Sequence, residues 1–191
     1  MTAMTLQIAQ QPEADAVLNE HPFAVLIGMT LDQQYGMEHA FRGGHKVLER
    51  FGTLDPAAIA AADPEQFKAL CSQPPAIHRF PVSMAARLQQ LAAVIDREYD
   101  GDVTRLWSEA TTGADLLKRI QALPGFGVQK AKIFVALLAK QVGVRPDGWE
   151  RAAGDYALDG TRSVADVVDA ESLQRVRDYK KQHKASKAMP A

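Results

Sequence analysis

The chain has one cysteine, Cys71, so it contains no disulfide framework and no zinc or iron–sulfur centre held by several thiolates. A reducing, cytoplasmic setting is the expectation that follows. Its amino end shows neither a basic leader with an apolar core nor any apolar stretch long enough to cross a bilayer, so no export or membrane role is expected. It also lacks an excess of positive charge. A formal net charge of -1 argues against a protein that coats nucleic acid, because such domains are usually basic overall. There is no internal repeat or low-complexity linker. The run FAVLIGMTL, Phe23 to Leu31, has the composition of a buried strand, but no second strand-like run exists to pair with it. It is therefore read as a buried helix.

With 47 % hydrophobic and 24 % charged residues over 191 positions, the chain is long enough to bury a sizeable core. Its pattern is almost entirely helical. Asp55-Pro56 and Asp63-Pro64 each combine a capping residue with a proline at the first helical position, where a missing N–H costs nothing. Thr112-x-x-Asp115 and Ser163-x-x-Asp166 have capping-box spacing. From Val82 to Tyr99 the apolar positions Met84, Leu88, Leu91, Val94 and Ile95 recur every three or four residues, which predicts an amphipathic helix. The first dozen residues and the last eight or so are expected to be unstructured. The stretch RVRDYKKQHKASK near the end is basic. It fits either a segment that follows a phosphate backbone or a solvated helix end.

The most informative stretch is LPGFGVQKAKIFVALLAK, residues 123 to 140. Upstream, Leu116, Leu117, Ile120 and Leu123 share one helical face; downstream, Ile133 with Leu137 and Phe134 with Leu138 form i,i+4 pairs. The unit is helix, hairpin, helix. Gly125 and Gly127 lack a Cβ and tolerate positive φ, so the backbone N–H groups that open the second helix can approach a ligand closely. Those donors and the positive end of the helix suit a phosphate oxygen, with Lys130 and Lys132 adding charge beside it.

LPGFGVQKA resembles the hairpin of the helix-hairpin-helix DNA glycosylases, the endonuclease III and adenine glycosylase superfamily. HPFAVLIGMTLDQQYGMEHAFRGGHKVLERFG, residues 21 to 52, is similar to the family's first core helices, and RFPVSMAARLQQLAAVI to the helix that precedes the hairpin region. The resemblance implies an all-α bundle of two small helical lobes with a cleft between them. The expected parts are an N-terminal segment (1–20), a glycosylase-like core (21–154), a C-terminal helical segment packing back on it (155–184) and a tail (185–191). It further implies a monomeric base-excision enzyme acting on lesion-bearing double-stranded DNA in the cytoplasm, associated with the nucleoid. No cofactor is required, with at most a monovalent cation at the hairpin.

The resemblance also assigns residues. An enzyme that acts on a base must take it out of the stack, and the amides of Gln33 and Gln34 occupy the positions expected to fill the hole; the other reading of the pair is a helix end. Gly125, Gly127, Gln129 and Lys130 are the expected backbone contacts. Cleaving an N-glycosidic bond builds positive charge on the sugar, which a carboxylate stabilises while orienting a water. Asp147, eighteen residues after Gln129, stands where the family places that carboxylate. Its setting, Pro146-Asp147-Gly148, is also an ordinary turn signal. Asp32, beside the glutamine pair, is the other candidate. Trp149 and Tyr35 are candidate base-stacking residues, with no metal ligands expected. Bifunctional members carry a lysine where this chain has Gln129, and Lys130, about 100° further round the helix, is expected to point elsewhere and read phosphate. A monofunctional glycosylase follows from these assignments. A non-catalytic hairpin DNA-binding protein and a partner-binding scaffold are the competing readings.

Overall fold

The computed structural model describes residues 5–188, and among them there is no β-strand. Twelve α-helices follow in order: α1 (Pro12–Glu20), α2 (Pro22–Leu31), α3 (Met37–Phe41), α4 (Gly43–Phe51), α5 (Pro56–Ala61), α6 (Pro64–Ser72), α7 (Pro81–Tyr99), α8 (Thr104–Ser108), α9 (Gly113–Gln121), α10 (Val128–Leu137), α11 (Trp149–Ala153) and α12 (Ala170–Ala188). A π-helical turn, Leu138–Val142, continues α10, and 3-10 turns at Gly154–Ala157 and Val164–Asp166 lead into α12.

Helix α2 is the centre of the bundle. Every residue from Phe23 to Leu31 is buried, as expected of a run with no polar face. Neighbouring helices reach it through glycine. A methyl group added at Gly28 would lie inside the Phe41 ring of α3, and one added at Gly44 of α4 would stand 2.6 Å from the Ala24 Cβ. The helix pairs thus approach as closely as backbone allows. Helix α7 carries Met84, Leu88, Leu91 and Ile95 inward, on the expected stripe, against α5 and α6.

The proline-led starts at Pro56 and Pro64 are both present. Asp63 caps α6 by accepting from the Gln66 N–H at 2.9 Å, whereas the Asp55 side chain makes no such bond. Thr112 caps α9 through the Asp115 N–H at 3.0 Å. Ser163 and Asp166 form a reciprocal capping box on a 3-10 turn.

As expected, the helices fall into an α1–α7 group and an α8–α12 group, and one continuous apolar core runs across both, from Leu6 to Val176. One expectation needs correction: the described part of the N-terminal segment is not loose. Leu6, Ile8 and Ala9 are buried, Asn19 Oδ1 accepts from the Leu6 N–H at 2.7 Å, and Arg42 Nε donates to the Ala9 carbonyl at 2.9 Å. Backbone polar groups in a buried irregular segment must find partners, and Asn19, Arg42 and Asp15, which accepts the Ala9 N–H at 2.9 Å, supply them here. At the other end α12 runs to Ala188; the last three residues of the expected tail lie outside the described residues.

The α2–α3 contact gives a direct test. Gly28→Val places a branched side chain where Phe41 already sits, and overpacking of this kind costs about 1–3 kcal/mol. Urea unfolding should give a free energy of unfolding lowered by that amount, seen as a lower midpoint with an unchanged slope; a neutral result would mean that α3 can move away from α2 freely.

Candidate functional site

The hairpin forms as its sequence indicates. Gly125 adopts φ +82°, closing the turn, while Gly127 is extended at φ -77° and caps α10. The two glycines therefore have different reasons to be there. Arg87 of α7 lays its guanidinium against Gly125, so a side chain there would have to displace the arginine tip and hold a strained left-handed φ, whereas a Cβ at Gly127 would meet nothing within 4 Å. Nothing inside the fold demands a glycine at 127, and the space beside it is open.

Beside the start of α10 lies a cavity of about 650 Å³. Asp32 and Met29 enter it from α2, Gln129, Lys130 and Ile133 from α10, and Asp155, Tyr156 and Arg162 from the segment after α11; α12 closes the far wall with Tyr179, Lys180, His183, Lys184 and Lys187. Gln129 Nε2 donates to the Tyr156 hydroxyl at 2.9 Å, tying the hairpin helix to the following segment. Among the described residues no group of three or more His, Cys, Asp or Glu is arranged to hold a metal.

Asp32 is the carboxylate with a perturbed environment. It ends α2, with its N–H on the Gly28 carbonyl at 3.0 Å, and part of its surface faces the cavity. The remainder is enclosed by protein, and this burial pushes its carboxyl above the ordinary carboxylate range, against the pull of Lys180 and Lys130. The C-terminal end of a helix carries partial negative charge, which also disfavours a carboxylate.

Lys130 does not point away, as the sequence reading expected. Its Nζ enters the cavity, donates to the Thr30 carbonyl at 3.1 Å and reaches Gln33 Oε1 at 3.5 Å. The Thr30 carbonyl is one of the last in α2, with no helical N–H to receive. The lysine therefore caps α2. Burial lowers its ammonium below the usual lysine range, opposed by Asp32 and reinforced by Arg87.

Asp147 is placed elsewhere. Its side chain is exposed and does not line the cavity, and its carbonyl accepts the Gly113 N–H at 2.8 Å in an isolated parallel bridge with Thr112. The turn signal of Pro146-Asp147-Gly148 accounts for it: Trp149 N–H returns to the Pro146 carbonyl at 3.0 Å, and the loop is pinned to the start of α9. Trp149 is half-buried against the core and Tyr35 packs against His78 and His39, so neither of the expected stacking residues lines the cavity. Tyr156 and Tyr179 do.

Gln33 and Gln34 are both exposed in the loop after α2. Buried His78 holds that loop, with Nε2 donating to the Gln33 carbonyl at 2.9 Å while Nδ1 accepts the Phe80 N–H at 3.0 Å. Arg79 Nη1 adds a long contact to the Gln34 carbonyl at 3.4 Å. Phe80 follows, 47 % exposed beside the glutamine loop, an apolar ring in water with Arg79 over its face at 5.1 Å. Sequence reasoning missed Phe80, Asp155, Tyr156, Arg162 and Tyr179. Only the spacing of the α12 residues carried a signal, since 180, 184 and 187 share a helical face.

The family model described as HhH-GPD superfamily base excision DNA repair protein matches residues 27–191. No curated protein and no solved structure gives a significant match.

The buried carboxyl has a measurable cost. Asp32 has a folded pKa above its unfolded value, so the folded state holds the proton more tightly and stability falls as pH rises through that interval. Asp32→Asn should therefore melt at a higher temperature than wild type at neutral pH, with the gain shrinking to nothing below the ordinary carboxylate range. A variant no more stable than wild type at neutral pH would show that the carboxylate is better solvated than its surroundings imply.

Proposed function

Because the chain belongs to the HhH-GPD superfamily of base excision DNA repair proteins, we propose that it is a monofunctional DNA glycosylase that hydrolyses the N-glycosidic bond of a damaged or modified base in double-stranded DNA. The observation that carries the reading is convergence. Asp32 and the first turn of the hairpin helix line one cavity roomy enough for a base, and Gln33, next in the chain after Asp32, comes within 3.5 Å of the cavity-lining Lys130.

The parts divide the work as follows. The open N-terminus of α10, with Gly127 leaving space above it, takes a phosphate of the lesion strand. Gln33 and Gln34 enter the duplex and satisfy the orphaned partner base, with Phe80 filling the stack beside them. The base enters the cavity against Tyr156 and Tyr179. As the bond to the base lengthens, positive charge grows on the sugar, and an ionised Asp32 in a poorly solvated site stabilises it and orients the attacking water. Asp155, which lines the same cavity, is the second carboxylate in reach; Asp147 has no geometric support for the role. The hairpin carries its own cation in Arg87, so a monovalent ion fits poorly at that corner and no step depends on one.

Gln129 cannot form a Schiff base, and its amide is engaged by Tyr156. Lys130 is the one amine of α10 in the cavity, and it donates to the Thr30 carbonyl at the end of α2. Hydrolysis without strand cleavage follows. The reading of a non-catalytic DNA-binding protein rested on the altered sequence around Asp147, and it loses that support once the carboxylate is sought at Asp32.

Two measurements test the proposal. Oligonucleotides carrying alkylated, deaminated, oxidised or hydroxymethylated bases should include one from which free base is released. Asp32→Asn should slow that release on the order of 10²–10³-fold, while Asp147→Asn leaves it nearly unchanged. The wild-type rate should fall on the acid side with a midpoint above the ordinary carboxylate range, because burial raises Asp32, and the Asn variant should lack that limb. Separately, borohydride should trap no covalent adduct between the protein and DNA; an adduct abolished by Lys130→Ala would make the enzyme a lyase.

A further inference from the structure

Helix α12 begins as a packing helix and changes character halfway. Leu173 and Val176 are buried and Tyr179 is half-buried, a stripe at helical spacing. The same stripe continues through Lys180, His183, Lys184 and Lys187, all of which line the cavity. A helix that needed only to be held would keep this face apolar. It turns cationic where it crosses the cavity.

The charges there are not neutralised locally. The cavity holds two carboxylates, Asp32 and Asp155, against Lys130, Arg162 and the three α12 lysines. Elsewhere on the helix Arg175 pairs with Glu171, and Arg177 pairs with Glu38. No ion pair among the described residues involves Lys180, Lys184 or Lys187. The lysine row also has a fixed register. Arg177 anchors α12 to buried Glu38 by donating to its Oε1, and Glu38 follows the loop of Asp32, Gln33 and Gln34.

We propose that the inner face of α12 is a second phosphate-binding element, gripping the strand that carries the flipped nucleotide across the cavity from the hairpin. The proposal rests on the glycosylase reading above only in requiring that a nucleotide enters the cavity. The dimensions suit it. From Lys180 to Lys187 the helix rises about 10 Å at ~1.5 Å per residue, roughly the axial length of three nucleotides of one strand at ~3.4 Å each. Phosphate is the ligand class, because a row of flexible ammonium groups without a planar partner matches point charges spaced along a backbone.

The test compares two variants of equal charge change, K180A/K184A on the inner face and R175A/K181A on the rest of the helix. The probe is a short duplex carrying one tetrahydrofuran abasic-site analogue, which flips without any need to know the base, with the undamaged duplex alongside. Binding is measured across a range of salt. The inner pair should lower the slope of log K against log[salt] by about 2 and weaken binding to the abasic duplex on the order of tenfold or more near physiological salt. The outer pair should change both far less, and the preference for abasic over undamaged duplex should fall only with the inner pair. Equal losses from the two variants would reduce the effect to net charge and overturn the proposal, as would an inner variant that binds like wild type. Absence of any DNA binding by the wild-type protein would overturn the glycosylase reading as well, which separates the two failures.

Discussion

The structure depends on α2 being buried on every side. A ten-residue helix with no polar face can be placed only if its neighbours come close, and glycines at 28, 43 and 44 permit that approach. The arrangement leaves one difficulty at its end. Among the last carbonyls of α2, those of Gly28 and Leu31 receive the N–H groups of Asp32 and Gln33, but that of Thr30 is left over where the chain leaves the core at Asp32. Lys130, from a helix a hundred residues later in sequence, supplies the missing donor at Thr30. That contact joins the hairpin helix to the end of α2 beside the buried carboxylate. The cavity lies there, walled on its other sides by the segment after α11 and by α12.

This explains what the sequence reveals and what it hides. The all-helical class, the buried helix at FAVLIGMTL, the amphipathic α7 and the hairpin were legible because each is written in local spacing or cap chemistry. Asp147 misled because its spacing from Gln129 and its turn chemistry give the same sequence signal, and only the bridge to Thr112 shows that the turn uses its backbone. Lys130 misled for a different reason. Its angular position on α10 was readable, but whether that direction meets solvent or the end of α2 depends on a contact between distant segments. Asp155 and Tyr156 gave no local sign at all, since a 3-10 turn after a five-residue helix has no periodicity to read. The candidate site was thus legible as a set of segments and illegible as a set of side chains.

The position of Asp32 illustrates why a fold of this kind keeps an unfavourable group. Burial raises its carboxyl and the end of α2 adds partial negative charge, so the site opposes ionisation before anything binds. A group placed against its own electrostatics is poorly stabilised in the ground state. It gains most when positive charge appears beside it, which is the condition for interactions that accelerate a chemical step rather than merely tighten binding.

On the glycosylase reading, the cations around the cavity raise an apparent conflict, because Lys130 and Lys180 would oppose positive charge on a sugar as strongly as they now favour an ionised Asp32. DNA itself resolves it. A phosphate bound along α12 offsets the charge of Lys180 and its neighbours, while Lys130 keeps its charge and is held at the end of α2 by the Thr30 carbonyl. With the α12 lysines offset, the balance of charge at the sugar shifts toward Asp32 and the phosphates, which are negative. The substrate's backbone then completes the electrostatics that stabilise its own transition state, and free base or nucleoside, which bring no phosphates, would leave the cationic wall opposing the reaction.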